Sequence, residues 1–198
     1  MTKFSKIALC ALIMGSGAFF TSCDDDDAAP VAAEQTLYQK LGGTKMVTDP
    51  NNSSAMIEQG RLSYRSVVDS TVVLIVADIL TASEGNLGTY FAPLAAELTA
   101  TPANTTNLAV LSKNLTDFFS ANTGGGATNT YSGLNMVDAH NPVTNPRMGA
   151  TADSADFDQF VGYVVEAAAK NGVTDPALVG EVGAVLESLR TQIVQDPS

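Results

Sequence analysis

Apolar residues recur along most of this chain at intervals of three and four, the spacing that lines one face of a helix. Leu108, Leu111, Leu115, Phe118 and Phe119 follow it, with Thr106 or Asn107 placed to cap the helix they predict. Phe157, Phe160, Val161, Val164, Val165 and Ala168 form a second such face, begun by Asp153 or Ser154 and stopped by Asn171-Gly172. A last helix starts at Thr174-Asp175-Pro176 and carries Leu178, Val179, Val182, Val185, Leu186, Leu189 and Ile193. Near the start, residues 36–41 fit a short helix, with Leu37, Tyr38 and Leu41 on one side and Gly42-Gly43 as its stop. Residues 67–80 are ambiguous. Their β-branched content favours a strand, but their length and lack of alternation predict a helix exposing Asp69, Ser70 and Asp78.

Between these stretches lie breaks. Residues 49–54 read as a turn, with Ser54 able to cap a short helix running to Arg61 or beyond. Residues 83–88 and 99–106 are rich in turn formers, and Tyr90-Phe91 fall in a loop or short helix. The glycine run 124–126 and the prolines Pro142 and Pro146 bracket one short segment, Tyr131-Ser-Gly-Leu-Asn-Met-Val-Asp-Ala-His140. No stretch reads convincingly as a strand and no repeat is evident. The expected fold class is therefore all-α, packed around one core.

Composition narrows the class. Of the 198 residues, 45% are hydrophobic and 16% charged, which favours a folded domain over disorder. The formal net charge is -11; with Lys3 and Lys6 of the N-terminus set aside, 8 bases face 21 acids, or -13. That acidity argues against nucleic acid as a partner and favours solubility.

The N-terminus reads as a targeting segment. Lys3 and Lys6 precede an apolar run at 7–20, too short for a spanning helix. It ends in Phe19-Phe20-Thr21-Ser22-Cys23, which resembles a lipobox with Cys23 as the lipidated residue; an ordinary secretory signal cut nearby is the alternative. The expected organisation is a signal peptide at 1–22, an acidic tether at 23–35 that opens with Asp24 to Asp27, and a folded domain at 36–198. A lipid on Cys23 would hold the domain to a membrane outside the cytoplasm, facing the periplasm or the cell exterior. Cys10 lies inside the signal, so the mature chain has no disulfide framework and no thiolate metal site.

His140 is the one histidine of the chain. Alone it cannot complete a zinc site, which takes three or four protein ligands, and no GxSxG turn accompanies it. A hydrolase or metalloenzyme reading therefore has little support. A haem iron is different: the porphyrin supplies four nitrogens, so one imidazole suffices. The neutral ring would bind through Nε2 while Nδ1–H points to a backbone carbonyl one turn back. Met136, four residues earlier, shares the face of His140.

The blocks Leu-Tyr-Gln-Lys-Leu-Gly-Gly at 37–43, Tyr90-Phe91, Asp-Phe-Phe at 117–119, the glycine run, the segment ending at His140, and Phe157-Asp-Gln-Phe160 with Asn171-Gly-Val173 come in a familiar order. Together they resemble the truncated haemoglobins, group 1. The resemblance implies a globin-like two-over-two helical sandwich, haem b as cofactor and His140 as the proximal metal ligand. It implies that Phe91 packs on the haem, that Phe119 lines the pocket and that Met136 packs beside the ligand. It puts Val72 where the family carries a distal tyrosine, and Leu111 and Leu115 where it carries polar partners; Tyr64 or Tyr90 could supply a hydroxyl instead. Lys113 and Arg147 are the nearest bases to the pocket segments. Residues 48–66, 81–86, 95–104 and 141–150 look like insertions relative to a compact member. The implied function is reversible binding of a diatomic gas, namely oxygen, nitric oxide or carbon monoxide, with an apolar distal side favouring the latter two. The alternative is a haem-free helical lipoprotein acting as a binding or scaffold module. No flavin or nicotinamide motif supplies electrons.

Overall fold

In a computed structural model, described for residues 33–81, 85, 87–101 and 105–196, the folded unit is Glu34–Ser198. The expected signal segment 1–22, the expected lipidation site Cys23 and the expected tether up to residue 32 lie outside the described residues. No described helix is long and apolar enough to cross a membrane.

The structure is 60% helical and 8% strand, so all-α holds as the coarse class. Helix α1 (Leu37–Lys40) begins with a capping box: the Thr36 side chain accepts from the Gln39 amide, and the Gln39 side chain accepts from the Thr36 amide. Gly42 and Gly43 then turn the chain at positive φ (113° and 55°), the stop expected from their type.

The next element corrects the sequence reading. Residues 46–58 form an antiparallel hairpin, β1 (Met46–Asp49) with β2 (Asn52–Glu58), instead of the turn and short helix expected around Ser54. The signal was there in two short apolar runs, Met46-Val47 and Met56-Ile57, flanking Pro50-Asn51. It was weak because the hairpin buries little beyond Ile57; Met46 and Met56 stay more than half exposed. Arg65 clamps the turn with two hydrogen bonds to Asp49, at 2.7 and 2.9 Å.

Helix α2 (Gln59–Thr81) takes in the ambiguous 67–80 run, so length overrode β-propensity. It packs against α4 (Thr106–Ser120) and α6 (Ser154–Lys170). A 3₁₀ turn (Leu87–Thr89) and α3 (Ala92–Thr99) lead into α4. The N-cap of α4 is Thr105, not Thr106 or Asn107, and its side chain makes no capping hydrogen bond. The Glu97 carboxylate reaches across from α3 to accept from the Asn107 and Leu108 amides at 2.7–3.2 Å. An acid at a helix N-terminus also meets the positive end of its dipole.

One π-type turn (Ala121–Gly125) ends α4, and a single helical turn, α5 (Met136–Ala139), precedes His140. Asp153 caps α6 as expected, accepting from Ala155 and Asp156, though Val165 proves exposed and Ala167 takes its place inside. The closing helix is two: α7 (Pro176–Glu187), capped by Asp175, and α8 (Arg190–Ile193).

Tyr38 joins these parts. Its ring, 1% exposed, lies against Gly60 at the start of α2 and Gly125 in the π turn; a Cβ at either glycine would come within 2.9 Å of the ring. Its hydroxyl donates to Glu58 and accepts from Asn129 at 3.0 Å. Arg61 extends the network, donating to Asn129 and to Asp117 of α4. Burial and the Glu58 carboxylate push the Tyr38 phenol up to about 12, so it stays a donor. Gly60→Ala is expected to cost about 1–3 kcal/mol, the usual range for overpacking a filled core, read as a lower midpoint in chemical denaturation. An unchanged midpoint would show that the ring can move aside.

Candidate functional site

The segment before His140 is folded by its own residues. A Cβ on Gly133 would lie 2.5 Å from the Tyr131 hydroxyl, because the tyrosine folds back over that glycine and donates to the Leu134 carbonyl at 2.5 Å. The Tyr-x-Gly spacing thus has a steric origin. Asn135 then caps α5 by accepting from the Asp138 amide at 2.9 Å.

His140 ends that one helical turn as its C-cap. Its Nδ1 lies 2.9 Å from the Met136 carbonyl. A carbonyl can only accept, so Nδ1 carries the hydrogen and Nε2 is left with a lone pair. Burial pushes the His140 pKa below its ordinary value, which favours this neutral ring. Orientation through the carbonyl one turn back was expected from the sequence, since both partners belong to one helical turn.

The imidazole lines a cavity of about 490 Å³, within the usual range for a small-molecule pocket, ~300–1,000 Å³. One wall is a face of α4: Asn107, Val110, Leu111, Asn114, Leu115 and Phe118 follow the three-four spacing. Opposite elements supply Tyr90, Phe91 and Leu94, then Tyr131 and Met136, then Phe157 and Phe160 of α6.

Of the sequence-predicted residues, His140, Phe91, Met136, Leu111 and Leu115 therefore share one cavity. Val72 and Phe119 do not reach its wall. No residue of α2 does, because that helix packs on α4 and α6, where Val72 is 2% exposed. Phe119 points inward to stack on Tyr64, ring centres 5.7 Å apart. Successive helical residues are turned about 100° from each other, so Phe118 is the one that faces the cavity, its ring meeting that of Tyr131 edge-on with centres 5.3 Å apart. Sequence periodicity marked both phenylalanines as apolar and could not separate them.

The substitute hydroxyls are also placed. Tyr64 is buried and bonded to Thr123 at 2.7 Å, away from the cavity. Tyr90 lines the cavity, but its hydroxyl donates to Asp156 at 2.5 Å. The unexpected polar groups on the α4 wall are the Asn107 and Asn114 side chains. Their positions in an otherwise apolar stripe were visible in the sequence; their direction was not.

Lys113 lies on the other side of α4. It pairs with Asp117 and borders an open groove of about 520 Å³ with Arg61, Arg65 and Asp69. That groove is slightly larger, but each of its cations already has a carboxylate partner, Asp49 or Asp117. The His140 cavity is the better candidate.

Among the described residues no three His, Cys, Asp or Glu side chains cluster as a metal site would require. A group bringing its own equatorial ligands does fit the residues present: a fixed neutral imidazole with a free Nε2, an adjacent thioether and apolar walls. No family model matches the chain, and no curated protein does either.

Replacing Phe119 with alanine is expected to lower stability by about 3–5 kcal/mol while leaving the affinity of the cavity for an apolar fluorescent dye unchanged. Phe118→Ala should alter dye binding at smaller cost in stability. Equal effects of the two on dye binding would contradict the division of roles between them.

Proposed function

We propose that this protein is a haem-binding globin of the truncated type that reversibly binds a diatomic gas, carried on a lipid-anchored chain outside the cytoplasm. The observation that carries the reading is the neutral His140 ring, held by the Met136 carbonyl at 2.9 Å, on the wall of a cavity it shares with Phe91, Met136, Leu111 and Leu115. Haem b would supply an iron able to bind oxygen, nitric oxide or carbon monoxide. His140, with its Nδ1 hydrogen on the Met136 carbonyl, would be the residue to hold that iron through its Nε2 lone pair. Phe91 and Met136 would exclude water and pack against the macrocycle, and Leu111 and Leu115 would border the bound gas.

The lipidated N-terminus rests on the Ser22-Cys23 pattern alone. Electrons for any turnover chemistry would have to come from a partner, so gas binding is the activity assigned.

Purified protein reconstituted with haem should give an intense Soret band that shifts with CO, and His140→Ala should lose it or leave only a loosely held pigment. A folded wild-type protein that takes up no haem would favour instead a haem-free helical lipoprotein serving as a binding or scaffold module.

The same walls set an expectation for gas preference. Oxygen gains from a hydrogen bond to its partial negative charge, whereas carbon monoxide needs it less. The Tyr90 hydroxyl is spent on Asp156 and that of Tyr64 on Thr123, which leaves Leu111 and Leu115 with the Asn107 and Asn114 amides. Oxygen should leave quickly in stopped-flow measurements and CO should outcompete it. Slow oxygen release that becomes fast in Asn114→Leu would show that the amide supplies the missing bond, against this expectation.

A further inference from the structure

The groove on the side of α4 away from His140 runs between two helix ridges. On α2 the ridge is Arg61, Arg65, Asp69 and Val73, each four residues from the last, over about 18 Å of helix. On α4 it is Leu108, Ser112 and Thr116, at the same spacing. The ridges run antiparallel: Arg61 reaches Asp117 at 2.6 Å, and Asp69 accepts from Ser112 at 2.5 Å. This packing grades the groove. One end is cationic, with Arg61, Arg65 and Lys113, and the other is apolar, with Val73, Leu108 and Ala109.

The chain has ten bases, and three of them stand on this one wall. They are not equally spent. Arg65 gives both terminal nitrogens to Asp49, and Arg61 gives its two to Asn129 and Asp117. Lys113 gives one hydrogen to Asp117, a carboxylate already taken by Arg61, and its side chain is 63% exposed. An ammonium carries three hydrogens, so two remain for another acceptor. Thr116, 1% exposed, borders the same end, and its hydroxyl has no hydrogen-bond partner. A buried hydroxyl in that state costs stability unless something supplies the missing bond. At the apolar end Val73 is 67% exposed. The wall's one acid, Asp69, stands between the two ends, with Oδ1 on Ser112. A staple between helices would need neither the spare ammonium, nor the unpaired hydroxyl, nor the exposed valine.

We infer that this groove binds a small organic oxyanion, a carboxylate or phosphate on a short apolar chain. Lys113 and the Thr116 hydroxyl, three residues apart on α4, meet the anionic head. Val73 and Leu108 take the chain. Arg61 and Arg65 add positive potential at the head while their own carboxylates keep them in place. The site is independent of the haem reading, since it shares no wall residue with the His140 cavity.

The test titrates the purified full chain at low salt with butyl phosphate, inorganic phosphate and butylamine, read by calorimetry. Butyl phosphate is expected to bind several-fold more tightly than inorganic phosphate. Butylamine, with the same chain and the opposite charge, should not bind. Lys113→Ala should weaken butyl phosphate about tenfold, because a charge-assisted hydrogen bond is lost. Asp69→Asn should strengthen it, because a carboxylate that repels the head becomes neutral. Thr116→Val should weaken it while leaving the denaturation midpoint equal or higher; a hydroxyl with no ligand to meet would move the midpoint alone. Arg147→Ala, on the wall of the His140 cavity, should change nothing. The site is overturned if butyl phosphate does not bind, if butylamine binds equally well, or if Arg147→Ala removes binding and Lys113→Ala does not. Equal affinity for inorganic and butyl phosphate would overturn the role of the apolar end. Should Lys113→Ala fail to fold, Asp69→Asn and the wild-type comparison of the three compounds decide.

Discussion

The Tyr38 ring is the wedge on which the rest of this structure closes. It lies between Gly60 and Gly125, two positions where an added Cβ would press on the ring, and so fixes how α1, the start of α2 and the end of α4 meet. From it a series of aromatic rings leads inward. Tyr38 stacks on Tyr64 at 6.3 Å, Tyr64 on Phe119 at 5.7 Å, Phe119 meets Phe118 edge-on at 5.5 Å, and Phe118 meets Tyr131 at 5.3 Å. The last ring folds over Gly133, seven residues before His140. Packing at the N-terminal helix is thereby continuous with packing at the cavity. Such aromatic pairs add about 0.5–1.5 kcal/mol each beyond the area they bury.

At the other end of that series the chemistry is local. One helical turn holds His140 by a carbonyl four residues back, and one asparagine cap starts the turn. The loop that follows is stitched to the same turn through Asn145 and Thr144. The imidazole is oriented by a bond within its own helical turn, while the cavity it faces depends on α4, α6 and the segment around Phe91 converging on it. A fixed donor atom and a shaped apolar wall are separate achievements, and the proposed haem function needs both.

Charge is distributed in keeping with this division. Near the hairpin, Arg61, Arg65 and Lys113 each have a carboxylate partner, Arg65 with Asp49 and the other two sharing Asp117. These pairs staple the hairpin and α2 to α4. Arg65 holds Asp49 at about 2, well below the usual carboxylate range, by direct hydrogen bonding. At the cavity the balance is different: Arg147 has no carboxylate among the described residues, in a chain with an excess of acids.

Periodicity marked α4, α6 and α7, with starts near Asp153 and Asp175, because a cap and an amphipathic face are made by residues close in sequence; it did not show α3 as a helix or the break before α8. The His140 hydrogen bond was legible for the same reason, its partner being one turn away. The hairpin at 46–58 was missed because it buries so little that no alternation marks it, and the Glu97 cap of α4 because its donor lies on another helix. Which phenylalanine of the pair at 118 and 119 faces the cavity, that Val72 and Tyr64 stay behind it, and that Arg147 rather than Lys113 stands at its rim were decided only by tertiary structure. Each turns on the rotation of a helix or the course of a loop relative to neighbours remote in sequence, and a one-dimensional pattern says which residues are apolar or charged but not what they meet.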